Sequence, residues 1–112
     1  MKRTCYWIFL ALFLLTATTA NATTHIIKFG GSLGKRYEPK SITVAVGDTI
    51  IWTGNFDDHP LSLIKAPSGA PGFMHIEKGS SFMYIVKVAG KYEYQCDDHI
   101  DEGMVGSFTA TE

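Results

Sequence analysis

The sequence predicts an all-β domain, a Greek-key β-sandwich of seven to eight strands, and three observations lead there. Short segments rich in apolar and β-branched residues recur along the chain. Gly, Pro, Asp and Asn punctuate the intervals between them. Nowhere does an apolar spacing of three and four residues run long enough for a helix.

Taken in order, the chain opens on Lys2 and Arg3, an apolar run from Tyr6 to Leu15, and the small-x-small pattern Ala20-Asn21-Ala22. This predicts a secretory signal peptide over residues 1–22, cut after Ala22, since the run falls short of the ~20 residues that span a bilayer. Cys5 precedes the apolar run, unlike a lipoprotein cleavage cysteine. Residues 23–112 then form a single domain. "THIIKF" (24–29) leads into the flexible "GGSLG". "SITVAV" (41–46) alternates Ile42, Val44 and Val46 with Thr43 and Ala45, the period of a half-buried strand. "GD" turns the chain into "TIIWT" (49–53), and "GNFDDHP" leads to "LSLI" (61–64). "FMHIE" (73–77), "SFMYIVKV" (81–88), "KYEYQ" (91–95) and "VGSFTAT" (105–111) complete the expected strands. The joins "KGS" and "AGK" suit antiparallel hairpins. Trp52, Phe73, Phe82, Tyr84, Tyr92 and Phe108 are expected in the core, with Tyr92 placed for a tyrosine-corner hydrogen bond.

Removing Lys2 and Arg3 from the 10 basic residues leaves 8 against 11 acidic, a formal charge of −3. A basic face for nucleic acid is therefore not expected. No second apolar segment or lipidation signal follows, so no membrane anchor is expected once the leader is cut; the leader itself predicts a periplasmic or secreted product, taken to be a monomer. Once Cys5 is removed, Cys96 has no thiol partner, unusual for a small exported domain.

"YEYQCDDHIDEGMVGSF" (92–108) places Cys96, His99 and Met104 in the order C-x2-H-x4-M. A thiolate, an imidazole and a thioether form a soft donor set that suits copper; structural zinc sites use more cysteines. Two histidines, one cysteine and a weak axial methionine make a blue-copper arrangement. The second histidine comes from His25, His59 or His75. His59 is preferred, because it lies in a loop at a strand end, whereas His75 falls inside a strand-like segment and His25 starts the first strand.

"YEPKSITVAVGDTIIWTGN", "DHP" and "GKYEYQCDDHIDEGMVGSF" resemble the cupredoxins, most closely the plastocyanin and pseudoazurin branch, from about His25 to Thr109. The resemblance implies an eight-stranded Greek-key sandwich, one type 1 copper ion, and the ligands His59, Cys96, His99 and Met104. It implies single-electron transfer between redox partners; copper enzymes of this fold need further centres built from additional histidines and usually several domains, so an enzyme is not expected here. It also suggests an apolar collar of Leu33, Pro60 and Ile100 around the His99 edge. Asp97-Asp98 stands where plastocyanins usually carry a proline, Gln95 where an aromatic is frequent, and Pro60 where a residue with a backbone N–H is common.

Asp57, Asp58, Asp97, Asp98, Asp101 and Glu102 gather in the two ligand loops, an acidic face suited to a basic partner such as a c-type cytochrome. The alternative to an electron carrier is a periplasmic copper carrier or storage protein. Cleavage after Ala22 would also expose Thr23-Thr24-His25, whose amine, amides and imidazole can wrap Cu(II); a histidine that merely begins the first strand is the favoured reading.

Overall fold

The computed structural model describes residues 21–112; the expected leader lies almost wholly outside the described residues. The architecture follows from alternation. In β1 (Thr24–Phe29) Ile27 and Phe29 point inward, and in β4 (Thr49–Thr53) Ile50 and Trp52 do the same. In β7 (Gly90–Cys96) the inward set is Tyr92, Tyr94 and Cys96. The phase that sends two tyrosines into the core therefore carries the thiol inward at the strand's last residue.

Eight strands form two four-stranded sheets. One has the order β2-β1-β4-β6, with β2 at Tyr37–Glu38 and β6 at Ser81–Ile85. The other has the order β3-β8-β7-β5, with β3 at Ser41–Ala45, β5 at Leu61–Lys65 and β8 at Val105–Thr111. β1 runs parallel to β4 and β3 parallel to β8, while the remaining pairs are antiparallel. Each connection from β2 through to β7 crosses between sheets, so neither the "KGS" nor the "AGK" join is a hairpin. Only β1–β2 and β7–β8 connect neighbours within a sheet.

The all-β sandwich agrees with the expectation, but three local readings need correction. Residues 73–77 make no strand: Ile76 forms an isolated bridge to Leu61, and His75 takes a left-handed φ of 51°. Strand β6 stops at Ile85 instead of Val88, because Val86 turns to bond Gly47 and Asp48. The short strand at Tyr37–Glu38 carried no alternating signal, yet it buries Tyr37 against Phe29 and Tyr94.

Trp52 is the centre of the core, with its ring edge-on to Phe73 and Tyr94. Tyr92 stacks on Phe108 at 4.4 Å, and its hydroxyl donates to the Val88 carbonyl at 2.6 Å, the expected corner bond. Gly106 is required in β8, since a Cβ there would lie 2.4 Å from the Tyr94 ring.

The pole away from the thiol is closed by Asp48, nearly buried, whose carboxylate accepts from the backbone N–H groups of Ala45 and Thr23 and from His25 Nε2. Those two backbone bonds, then the His25 bond, hold the Asp48 carboxyl at about 2.

Trp52→Ala should destabilise the domain by about 3–5 kcal/mol through lost burial and the cavity left behind. Tyr92→Phe should cost only ~1 kcal/mol, the usual net contribution of one hydrogen bond. Urea unfolding of the metal-free protein checks both, and equal losses would contradict this division of the core.

Candidate metal centre

Two chain segments converge at one end of the sandwich because of register. Leu61 pairs with Cys96 across β5 and β7, so His59, two residues earlier, arrives beside the thiol. The Asp97 backbone N–H donates to the Pro60 carbonyl at 2.9 Å, which extends that pairing past the strand ends. The loop carrying His59 is itself fixed. Asn55 Oδ1 accepts from the Asp57 N–H, Asn55 Nδ2 donates to Asp58, and the His59 N–H donates to the Asn55 carbonyl.

The second segment closes on itself. His99 donates its N–H to the Cys96 carbonyl, a single 3-10 turn spans Ile100–Glu102, and Gly103 ends it with a left-handed φ of 80°. The chain then returns, so that the Cys96 N–H donates to the Met104 carbonyl at 3.0 Å and the Met104 N–H to the His99 carbonyl at 3.2 Å. Met104 is completely buried there.

Cys96 Sγ lies 3.8 Å from His59 Nδ1 and 3.2 Å from His99 Nδ1, with the two ring centroids 4.8 Å apart. Donors about 2.1 Å from one ion in a trigonal array stand about 3.6 Å apart, so this trio fits a single metal. A soft thiolate with two imidazoles favours copper over the harder cations. Burial pushes the Cys96 thiol up, against the backbone N–H groups of Asp98 and His99, and the nearby Asp98 and Asp97 charges push the same way as burial. Burial and the His99 charge lower His59, outweighing the opposing pull of Asp58 and Asp98. A neutral His59 imidazole with a free lone pair is what a metal requires. Its ring packs edge-on against Phe29 and lies over Gly30, whose φ is 73°. A Cβ on Gly30 would come within 3.0 Å of His59 Cδ2.

His59 and His99 also line an open surface groove with Gly31, Gly34, Lys35, Asp57, Asp58 and Asp98. Lys35 pairs with Glu102, joining the loop after β1 to the ligand loop. Of the expected collar, Ile100 is exposed and Leu33 half-buried, but Pro60 is buried and serves through its carbonyl. The acidic rim is also smaller than expected. Asp97 turns inward and accepts from Gln95, Ser62 and His75, while Glu102 is engaged by Lys35.

The other two histidines lie outside the trio. His25 belongs to β1 and bonds Asp48 at the far pole. His75 donates to Asp97, a contact no local spacing announced.

Gly30→Ala should lower stability and displace the His59 ring, whereas Gly31→Ala, also at positive φ but facing open space, should cost only the ~1–2 kcal/mol of a left-handed alanine. Unfolding midpoints together with Cu(II) affinities check this, and affinity should fall only for Gly30→Ala. The bond to Asp97 raises His75 above an ordinary histidine. Its contribution to stability should be fully present below about pH 6.5 and fade as pH rises through the higher folded value. Proton NMR titration of His75 should show the raised midpoint, and Asp97→Asn should bring it down.

The family of copper binding proteins of the plastocyanin/azurin type matches residues 26–111. A plastocyanin from Prochlorothrix hollandica is 34% identical over 104 residues, covering 86% of this chain and 79% of the relative. A chloroplastic plastocyanin from Tetradesmus obliquus is 31% identical over 103 residues, covering 80% and 68%. Among solved structures, a pseudoazurin from Sinorhizobium superposes with a TM-score of 0.69 at 25% identity, covering 80% of this chain and 75% of that one. Sequence match, sandwich topology and the His59, Cys96, His99 cluster agree, and the chain belongs to the plastocyanin/azurin family of copper-binding proteins.

Proposed function

We propose that this protein is an exported carrier of single electrons whose copper ligands are His59, Cys96, His99 and Met104. The observation that carries the reading is the buried Cys96 thiol with two imidazole Nδ1 atoms turned on it at 3.2 and 3.8 Å. Bound copper supplies a one-electron Cu(I)/Cu(II) couple at that point. The chain's part is to hold the donors still. Cys96 ends a paired strand, His59 is fixed between Asn55 and Leu61, and His99 and Met104 are tied to Cys96 by backbone bonds. Donors held by strand pairing and by backbone bonds across their loops need little rearrangement when the charge changes, which keeps the cost of each transfer small.

His99 is only half-buried and faces the groove, which makes its ring edge the exit for the electron. Asp57, Asp58 and Asp98 line the same groove. Their charge favours encounter with a basic partner such as a c-type cytochrome, through long-range attraction that salt screens.

Voltammetry of the copper-loaded protein should give one reversible one-electron wave, with the metal retained after reduction in the presence of a Cu(I) chelator. Ready surrender of the reduced ion would assign copper delivery or storage instead. The association rate with a basic cytochrome should fall steeply from 10 mM to 200 mM salt and more shallowly in an Asp57→Asn, Asp58→Asn, Asp98→Asn variant. A rate indifferent to ionic strength would remove the steering role.

A further inference from the structure

His75 is held in a left-handed conformation, φ 51°, that is unfavourable for a residue with a Cβ, although glycines stand nearby in the same loop at 69, 72 and 79. Such a conformation persists only where the surroundings hold it. Here they do so through three bonds. The His75 backbone N–H donates to Ser62 Oγ at 2.7 Å, Ser62 Oγ donates to Asp97 Oδ2 at 2.7 Å, and His75 Nδ1 donates to the same oxygen at 2.9 Å. Nδ1 must carry the proton, because a carboxylate only accepts. The ring of bonds closes over Ser62, which is 2% exposed. Gln95 Nε2 occupies the other Asp97 oxygen at 2.9 Å.

Asp97 directly follows Cys96, and its backbone N–H bonds the carbonyl of Pro60, the residue after His59. Anything that fixes Asp97 thus fixes both loops that present the donors. The loop bearing His75 is anchored for this task, since Ile76 exchanges backbone bonds with Leu61 and the Leu63 N–H donates to Phe73. We propose that His75 is a positioning residue: acting through Asp97 and Ser62, it clamps the Cys96 loop to the His59 loop and so sets the environment of the copper thiolate. The clamp itself is independent of the metal; its effect on copper rests on the ligand assignment above.

Two substitutions separate the ring's bond from the backbone's conformation. His75→Gly removes the donor and relieves the left-handed strain. His75→Asn accepts a positive φ readily and offers a side-chain N–H near the place of Nδ1. In the metal-free protein, His75→Gly should speed amide hydrogen exchange at Asp97 several-fold, and His75→Asn should return it toward the parent rate. In the copper-loaded protein, an Asp97 carboxylate lacking one donor bears more strongly on the thiolate and favours Cu(II). The ratio of Cu(II) to Cu(I) at fixed ambient potential should therefore rise several-fold in His75→Gly, with a shifted thiolate-to-copper band, and recover in His75→Asn. Unchanged exchange in His75→Gly would overturn the clamp. Altered exchange with unchanged spectrum and ratio would overturn its influence on the metal, and failure of His75→Asn to restore either would assign the change to the loop backbone alone. A parent protein that takes up no copper would instead defeat the ligand assignment, while the exchange rates still decide the clamp.

Discussion

Burial of the Cys96 sulfur between two imidazoles is the constraint on which the structure turns. Burial alone opposes ionisation of the thiol, and two neighbouring carboxylates oppose it further. A metal ion reverses this balance, because it binds the thiolate and the neutral imidazoles and releases the protons. The fold accordingly resembles a frame built around a position that is unfavourable for a free anion and favourable for a soft cation. This also accounts for a single cysteine among the described residues of a domain expected to be exported.

The sandwich delivers that frame by simple means. Period-two alternation in β7 sends Tyr92, Tyr94 and Cys96 to one side, and the Leu61–Cys96 pair fixes which loop meets the sulfur. Aromatic packing about Trp52 joins the two sheets beneath the site, while Asp48 gathers three donors at the opposite pole. Glycine enters where a side chain would collide, at Gly30 under His59 and at Gly106 under Tyr94. The metal-bearing end is thus mostly loop, held by strand pairing on one side and by backbone bonds across the loops on the other.

Much of this was legible in the sequence because the relevant patterns are local. Alternation in 41–46 and the short β-rich segment 49–53 marked strands, and Cys96, His99 and Met104 share a nine-residue stretch of soft donor types. His59 was reachable by a weaker rule, that loops at strand ends gather sites. What escaped was non-local. The apolar "FMHIE" looked like a strand, but cross-loop bonds to Leu61, Leu63 and Ser62 pull it into an irregular course with His75 in a left-handed turn. Tyr37 gave no alternation because its strand is two residues long. Asp97 read as one more acid of a charged rim, since its partners lie 2, 22 and 35 residues away and spacing carries no record of them.

The account is tested most directly by the electronic spectrum and spin resonance of the protein loaded with one equivalent of Cu(II). A thiolate in a trigonal site with two imidazoles predicts an intense blue absorption band and a narrow copper hyperfine splitting, both absent from Cys96→Ser. A colourless Cu(II) complex, or one with the wide splitting of an ordinary square-planar nitrogen site, would contradict it.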